Sequence, residues 1–218
     1  MIQTSLSLPH LAQYTSSQIN SLFNDGNSVS TDLIQKYLPL TLSRLEHSFS
    51  HLALTHFFDG KTCKFNHLHG DQYGMYLYML SNTLYKANED VSLCAKLFAL
   101  NKLLHGVDAF YEVQLPDIFL WIHPLGTVLG RGAYADFFVV YQRCGIGSNK
   151  NIYPTVGRYC TMHPGSSILG NSLLGDYCEL ATNALVLDEH IPACTLYIGT
   201  PKQARYIHRD TPNSCWRR

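Results

Sequence analysis

Val156, Met162, Ile168, Leu174, Leu180 and Val186 fall at an unbroken spacing of six over thirty residues. A six-residue period matches neither the 3.6 of a helix nor the 2 of a strand. It suits a parallel β-helix, in which each six-residue piece forms one flat side of a coil and eighteen residues make a triangular turn. The aliphatic residue points inward and stacks on its equivalent one coil above. Four positions after each of the first five stands a small residue: Cys160, Ser166, Ser172, Cys178 and Ala184. These suit the corners, and Cys160 and Cys178, eighteen apart, are expected to stack. Upstream, Ile122, Val128, Val140 and Ile146 share the phase, and Tyr134 interrupts it. The polar stretch GSNKNIYP at 147–154 has no periodic core residue and reads as a loop thrust from one corner. Such loops often carry function on a rigid scaffold.

The first half has a different period. SSQINSLFNDG opens on serines suited to an N-cap and closes on Gly26. Leu33, Tyr37, Leu40, Leu42 and Leu45 recur at roughly helical spacing, and Pro39 is expected to break or kink that helix. HGDQYGMYLYMLSNTLYKA and DVSLCAKLFALNKLLHG read as an antiparallel helix pair joined by a polar NED turn, with Gly106 as the stop. The expected organisation is an α-helical N-terminal domain at 1–106, a β-helix at 107–207 and a tail at 208–218.

The bulk properties narrow the function. The chain has 218 residues, 46% hydrophobic, with Lys plus Arg equal to Asp plus Glu. A neutral chain without a basic stripe argues against nucleic acid as a partner. No window has the roughly 18 consecutive apolar residues of a membrane span. The N-terminus lacks the basic and apolar regions of a secretory signal. Seven cysteines with no C-x-x-C pair fit reduced thiols in a cytoplasmic protein.

Several local motifs then agree. HPLGTVLG at 123–130, VVYQRCGIG at 139–147, SILGN at 167–171 and YIGTPKQARYI at 197–207 resemble successive segments of the hexapeptide-repeat acyltransferases, most like the serine acetyltransferases of cysteine biosynthesis. The resemblance covers about residues 65–207; residues 1–64 match nothing nameable. It implies a left-handed β-helix, acetyl-CoA as co-substrate with no metal required, and a homotrimer or a hexamer paired through the helical half. It makes His123 the general base, and Asp108, fifteen residues earlier, its orienting carboxylate. Taken alone, His123 in the apolar run FLWIHPLG reads as a bonded core histidine; the motif and the Asp108 spacing turn the reading toward a base. The resemblance further places the coenzyme groove near Gly165, Ser166, Thr182, Asn183, Thr200 and Lys202, and the acceptor near Tyr153 and Arg158.

The chemistry needs such a base. A hydroxyl is too weak an acid to attack a thioester ionised, and an imidazole of pKa about 6.5 is mostly neutral at pH 7 and able to take its proton. A carboxylate on the other ring nitrogen fixes the tautomer and stabilises the imidazolium. The sequence departs from the family at the acceptor. Where the family has Arg-His-Pro after its extended loop, with the arginine gripping the substrate carboxylate, this chain has Ile152-Tyr153-Pro154. Ile122 stands where the family has Asp, and His163-Pro164-Gly165 replaces a Gly-Ala-Gly run. The tail ends Cys-Trp-Arg-Arg, unlike the isoleucine-ended tail that docks a partner sulfhydrylase. The readings are therefore an O-acetyltransferase with L-serine as first acceptor, an acetyltransferase for a sugar or amino sugar, and a non-catalytic β-helix used for assembly. A zinc lyase of the γ-carbonic-anhydrase type needs clustered histidines, and His123, His163, His190 and His208 are well separated.

Overall fold

Ser7 and Ser30 start the first two helices. Each sits in extended backbone and accepts a main-chain N–H with its side chain, from His10 and Asp32 respectively. In this computed structural model, which describes residues 2–209 and 215–217, helix α1 is Leu8–Leu22 and α2 is Thr31–Phe49. Helix α1 begins well before the SSQ serines, because Ser7 and Pro9 make the stronger start; Ser16 ends up buried inside it. Pro39 does not end α2. Pro39 and Gln35, whose carbonyl loses its usual donor, both lie on the solvent side, where water replaces the bond. The buried stripe of α2 is Ile34, Leu38, Thr41, Leu42, Leu45, Ser48 and Phe49, while Leu40 is exposed.

Helices α3 (Gly70–Lys86) and α4 (Val91–His105) form the expected antiparallel pair. Asp90 caps α4, and Gly106 ends it in the left-handed region at φ 62°. Residues 71–84 of α3 are all buried, so it is the central rod of the helical half. Arg44 of α2 donates to Met79 O, Thr83 Oγ1 and Asn82 Oδ1 on it. A parallel pair of two-residue strands, Gln3–Thr4 and Lys64–Phe65, closes this half.

From Asp108 the chain winds into a left-handed parallel β-helix with three faces. The first carries Phe119–Trp121, Phe138–Val140, Thr161–Met162, Glu179–Leu180 and Thr195–Ile198. The second carries Asp108–Ala109, Val128–Leu129, Gly145–Gly147, Ser167–Leu169 and Leu185–Leu187. The third carries Ala133–Tyr134, Thr155–Val156, Leu173–Leu174 and His190–Ile191. Register pairs Val156 with Leu174, Met162 with Leu180 and Ile168 with Val186, the eighteen-residue stacks of the repeat. These six side chains are at most 2% exposed, and the five small corner residues at most 3%. Each fully buried aliphatic contributes roughly 1.5–3 kcal/mol relative to an exposed one.

The winding ends at Ile198. Arg205–His208 turns back antiparallel along Thr195–Ile198, and residues 215–217 lie against the helical half. At the other end, Ser48 of α2 donates to Phe119 O and accepts from Phe119 N–H, and Tyr78 of α3 bonds Val113 and Leu115. These bonds tie the first coil to the helices.

Candidate active site

The corner between the first and second faces is not the same in every coil. Ladder register aligns Ile122, Tyr141, His163 and Ala181 on its near side. It aligns Thr127, Cys144, Ser166 and Ala184 on its far side. Two residues make the turn in the three upper coils: Gln142-Arg143, Pro164-Gly165 and Thr182-Asn183. Four make it in the lowest: His123, Pro124, Leu125 and Gly126. The left-handed corner position is filled by Gly126, Arg143, Gly165 and Asn183, and His123 adds a second left-handed residue at φ 49°. The extra pair forms a bulge. Pro124 is buried and anchors it, while the His123 side chain is 77% exposed.

Asp71, in the first turn of α3, meets this bulge. Its Oδ1 accepts the main-chain N–H of His123 at 3.0 Å, and its Oδ2 lies 3.7 Å from His123 Nδ1. The Asp71 side chain is only 11% exposed. Nothing in the sequence links positions 71 and 123; an acidic residue in the first turn of an otherwise buried helix is the one local signal.

Asp108 does not take the expected place. Its carboxylate binds the Lys102 ammonium at 2.6 Å, and its ladder partner one coil up is Val128 rather than His123. Among the described residues it makes no hydrogen bond to His123. The reason lies in the intervening chain. Residues 110–118 leave the coil as an irregular loop held by Tyr78 and Asn82, so counting residues does not count layers there.

The expected coenzyme residues do share one edge with His123. Gly165 and Asn183 stack in successive coils above it, joined by the Asn183 N–H to Pro164 O bond. The turn Gly199–Lys202 follows, with Leu185 N–H bonded to Gly199 O. Coil spacing of about 4.8 Å puts Asn183 roughly 14 Å above Gly126. Thr182, Asn183, Thr200 and Lys202 are exposed. Ser166 is the exception. It is fully buried, with its hydroxyl against Cys144 Sγ, so only its main chain reaches the edge. Gly165 is at φ 76°, and a Cβ there would stand 2.2 Å from Asn183 Oδ1, so the edge is shaped around a bare backbone. Arg143, exposed on the same edge, has a guanidinium that bonds no side chain among the described residues. His163, in the coil above Tyr141, stacks on that ring and lies 3.4 Å from the buried Glu179.

Tyr153 and Arg158 lie elsewhere. The 148–154 loop stands at the corner between the second and third faces. It is a tight hairpin: Asn149 and Ile152 exchange main-chain bonds around Lys150 and Asn151, both at positive φ. Ile152 and Tyr153 are 48% and 41% exposed on it. Arg158 is at the third corner, its guanidinium over Phe137 and Tyr159. It lines an open cavity of about 490 Å³ with Leu115, Pro116, Asp117, Tyr134, Ala135 and Asp136, away from the His123 edge.

Repeat, register and winding make this chain a left-handed β-helix protein built on a six-residue repeat. It is similar to serine acetyltransferases. A serine acetyltransferase of Synechococcus elongatus is 28% identical over 117 residues, 51% of this chain and 46% of that protein, so the match spans about half of that relative's length. No family model matches the chain. The fold superposes on a Neisseria gonorrhoeae serine acetyltransferase with a TM-score of 0.72 at 18% identity, over 95% of this chain and 82% of that one. It superposes on a coenzyme A complex of the Brucella abortus serine acetyltransferase at 0.70 and 15% identity, over 96% and 85%. A further coenzyme A complex of a serine acetyltransferase matches at 0.70 and 20% identity, over 92% and 83%. Among the described residues no helix is long and apolar enough to cross a membrane.

Proposed function

We propose that this chain is an acetyl-CoA-dependent O-acetyltransferase with His123 as general base and a small hydroxyl acceptor, L-serine first. The observation that carries the reading is the bulged corner. It pushes one imidazole out of an otherwise uniform β-helix edge, at the foot of a column with bare backbone at Gly165 and exposed side chains at Thr182, Asn183, Thr200 and Lys202. An extended pantetheine arm fits along that column. Arg143 and Lys202 supply positive charge for its phosphates.

His123 Nε2 takes the acceptor's hydroxyl proton as the oxygen attacks the acetyl carbonyl carbon. The carbon–sulfur bond then breaks, and the imidazolium returns the proton to the coenzyme thiolate.

Assembly belongs to the proposal. His123 and the 148–154 loop occupy different corners of one prism, a full face apart. A neighbouring copy in a homotrimer brings its loop to this His123, and the helical half offers a surface for pairing trimers. Light scattering on the purified protein checks this; a monomer at working concentration would sink it.

One observation favours a second acceptor. Ile152 is half exposed where the resemblance calls for an arginine, and an isoleucine makes no bond to a carboxylate. A sugar or amino-sugar hydroxyl needs no such clamp. Thiol release from acetyl-CoA, measured with serine and with a panel of amino sugars and sugar nucleotides, separates the two. His123→Ala should lower turnover roughly 10²–10⁴-fold with whichever acceptor works. No release with any acceptor, from folded protein that does not bind coenzyme A, leaves the assembly reading standing.

A further inference from the structure

We infer that Asp71 is the positioning residue of the base: it sets both the backbone and the ring of His123, the task that residue spacing assigns to Asp108. This inference rests on His123 being the base. A single carboxylate does two things here. Oδ1 accepts the His123 N–H at 3.0 Å and so fastens a non-glycine residue in the left-handed region, where the backbone needs outside support. Oδ2 faces Nδ1 at 3.7 Å, just beyond hydrogen-bond length. Catalytic hydrogen bonds are often long before substrate binds.

The competing carboxylate is engaged. Asp108 is held at 2.6 Å by Lys102, near the end of α4, and its side chain is 32% exposed. Among the described residues Asp71 pairs with no lysine or arginine, and its side chain is 11% exposed. The consequence is a tautomer. With Asp71 accepting at Nδ1, the proton of neutral His123 resides on Nδ1 and the lone pair on Nε2. Nε2 is then the atom turned to solvent and able to take the acceptor's proton. The arrangement also couples the two halves of the chain, because the carboxylate rides on α3 while the ring rides on the β-helix corner.

The test combines a spectroscopic signature with kinetics. In protein labelled with ¹⁵N-histidine, the ring nitrogen shifts of His123, assigned by loss of its signals in His123→Gln, report the tautomer directly. The expected result is the Nδ1–H form in the wild type, replaced by a mixture in Asp71→Asn. In turnover, Asp71→Asn should lose about 100-fold in kcat with the KM for acetyl-CoA within about twofold, since the group orients the base and does not touch the coenzyme. Asp71→Glu should recover part of the loss, and Asp108→Asn should lose at least about tenfold less than Asp71→Asn. An Nε2–H form in the wild type would overturn the inference. So would a collapse of kcat in Asp108→Asn with Asp71→Asn near wild type. If Asp71→Asn fails to fold, the wild-type tautomer decides alone. If the wild type turns over no acceptor, the proposed activity fails, while the tautomer still decides where the proton sits.

Discussion

The indole N–H of Trp216 donates to the main-chain oxygen of Phe137 at 3.1 Å, across seventy-nine residues. Its neighbours fasten the same strap to the helical half: Cys215 O accepts from Ala53 N–H, and Arg217 N–H donates to His51 O. The Trp216 ring meets Phe137 edge-on, and Phe137 begins a column with Tyr159 and Tyr177 stacked above it. The chain's end therefore joins the lowest β-helix coils to the helices through an almost fully buried tryptophan.

Trp216→Ala removes both the packing and the bond. We expect about 3–5 kcal/mol of destabilisation, the range for emptying a buried aromatic site. Urea unfolding followed by circular dichroism measures it. A loss below about 1 kcal/mol would show that the strap contributes little.

Gly165 tests the edge. Gly165→Ala puts a Cβ into the space of Asn183 Oδ1 and strains a backbone at φ 76°. Its expected cost is about 1–3 kcal/mol, with weaker coenzyme A binding. Adding Asn183→Ala relieves the contact but not the backbone strain. The double variant should recover part of the stability loss, a coupling that a thermodynamic cycle reads directly. Strict additivity would mean the clash is absent.

Burial pushes the His105 imidazole down to about pKa 4, against an ordinary value of 6.5. Between those values the unfolded chain binds a proton that the folded chain refuses. Stability should therefore rise with pH from about 4 to 6.5 on this group's account and be level above it. His105→Gln should flatten that part of the stability–pH curve while keeping a side chain able to bond Asn101. An unchanged slope in the variant would assign the pH dependence to other groups.

Lys96 is 8% exposed in its side chain and bonds Asp25 Oδ1 at 2.7 Å and Asn27 O at 2.6 Å. Its hydrogen bond is the first cause that holds the Asp25 carboxyl below its usual range. The stabilisation from this pair is present above the ordinary carboxylate pKa of 3.8 and is lost as pH falls through the lower folded value. Asp25→Asn strands a buried ammonium, whereas Lys96→Met removes the charge with its need for a partner. Asp25→Asn should therefore be the more destabilising of the two in thermal melts at pH 7. The reverse order would mean the ammonium finds water.

Much of the β-helix was legible because its rule is local. A residue's place in the coil follows from its position modulo six, so Val156 through Val186 and their small companions could be assigned from spacing alone. The helix pair at 70–105 was legible for the same reason, through Asp90, Gly106 and the apolar periodicity between them. The rule failed where local preference met a tertiary answer. Pro39 stayed inside α2 because its missing bond falls on water, and Leu40 faced solvent because the buried stripe runs through Leu38 and Leu42.

At the candidate site the division is the same. The resemblance of the HPLGTVLG motif singled out His123 and put the coenzyme groove near Gly165 and Asn183, but the six-residue phase slips by one here: Trp121 and Leu129, not Ile122 and Val128, point inward, and Val128 is 48% exposed. Which carboxylate faces His123 was decided only by tertiary structure. The irregular loop at 110–118 destroys the correspondence between residue count and coil height, and Lys102 captures Asp108. Asp71 arrives from fifty-two residues away because α3, buried on all sides, is docked with its first turn against the corner. Periodicity encodes which way a side chain points within its own element. The contact between two elements depends on how they pack, and that is settled by the shape of the shared core.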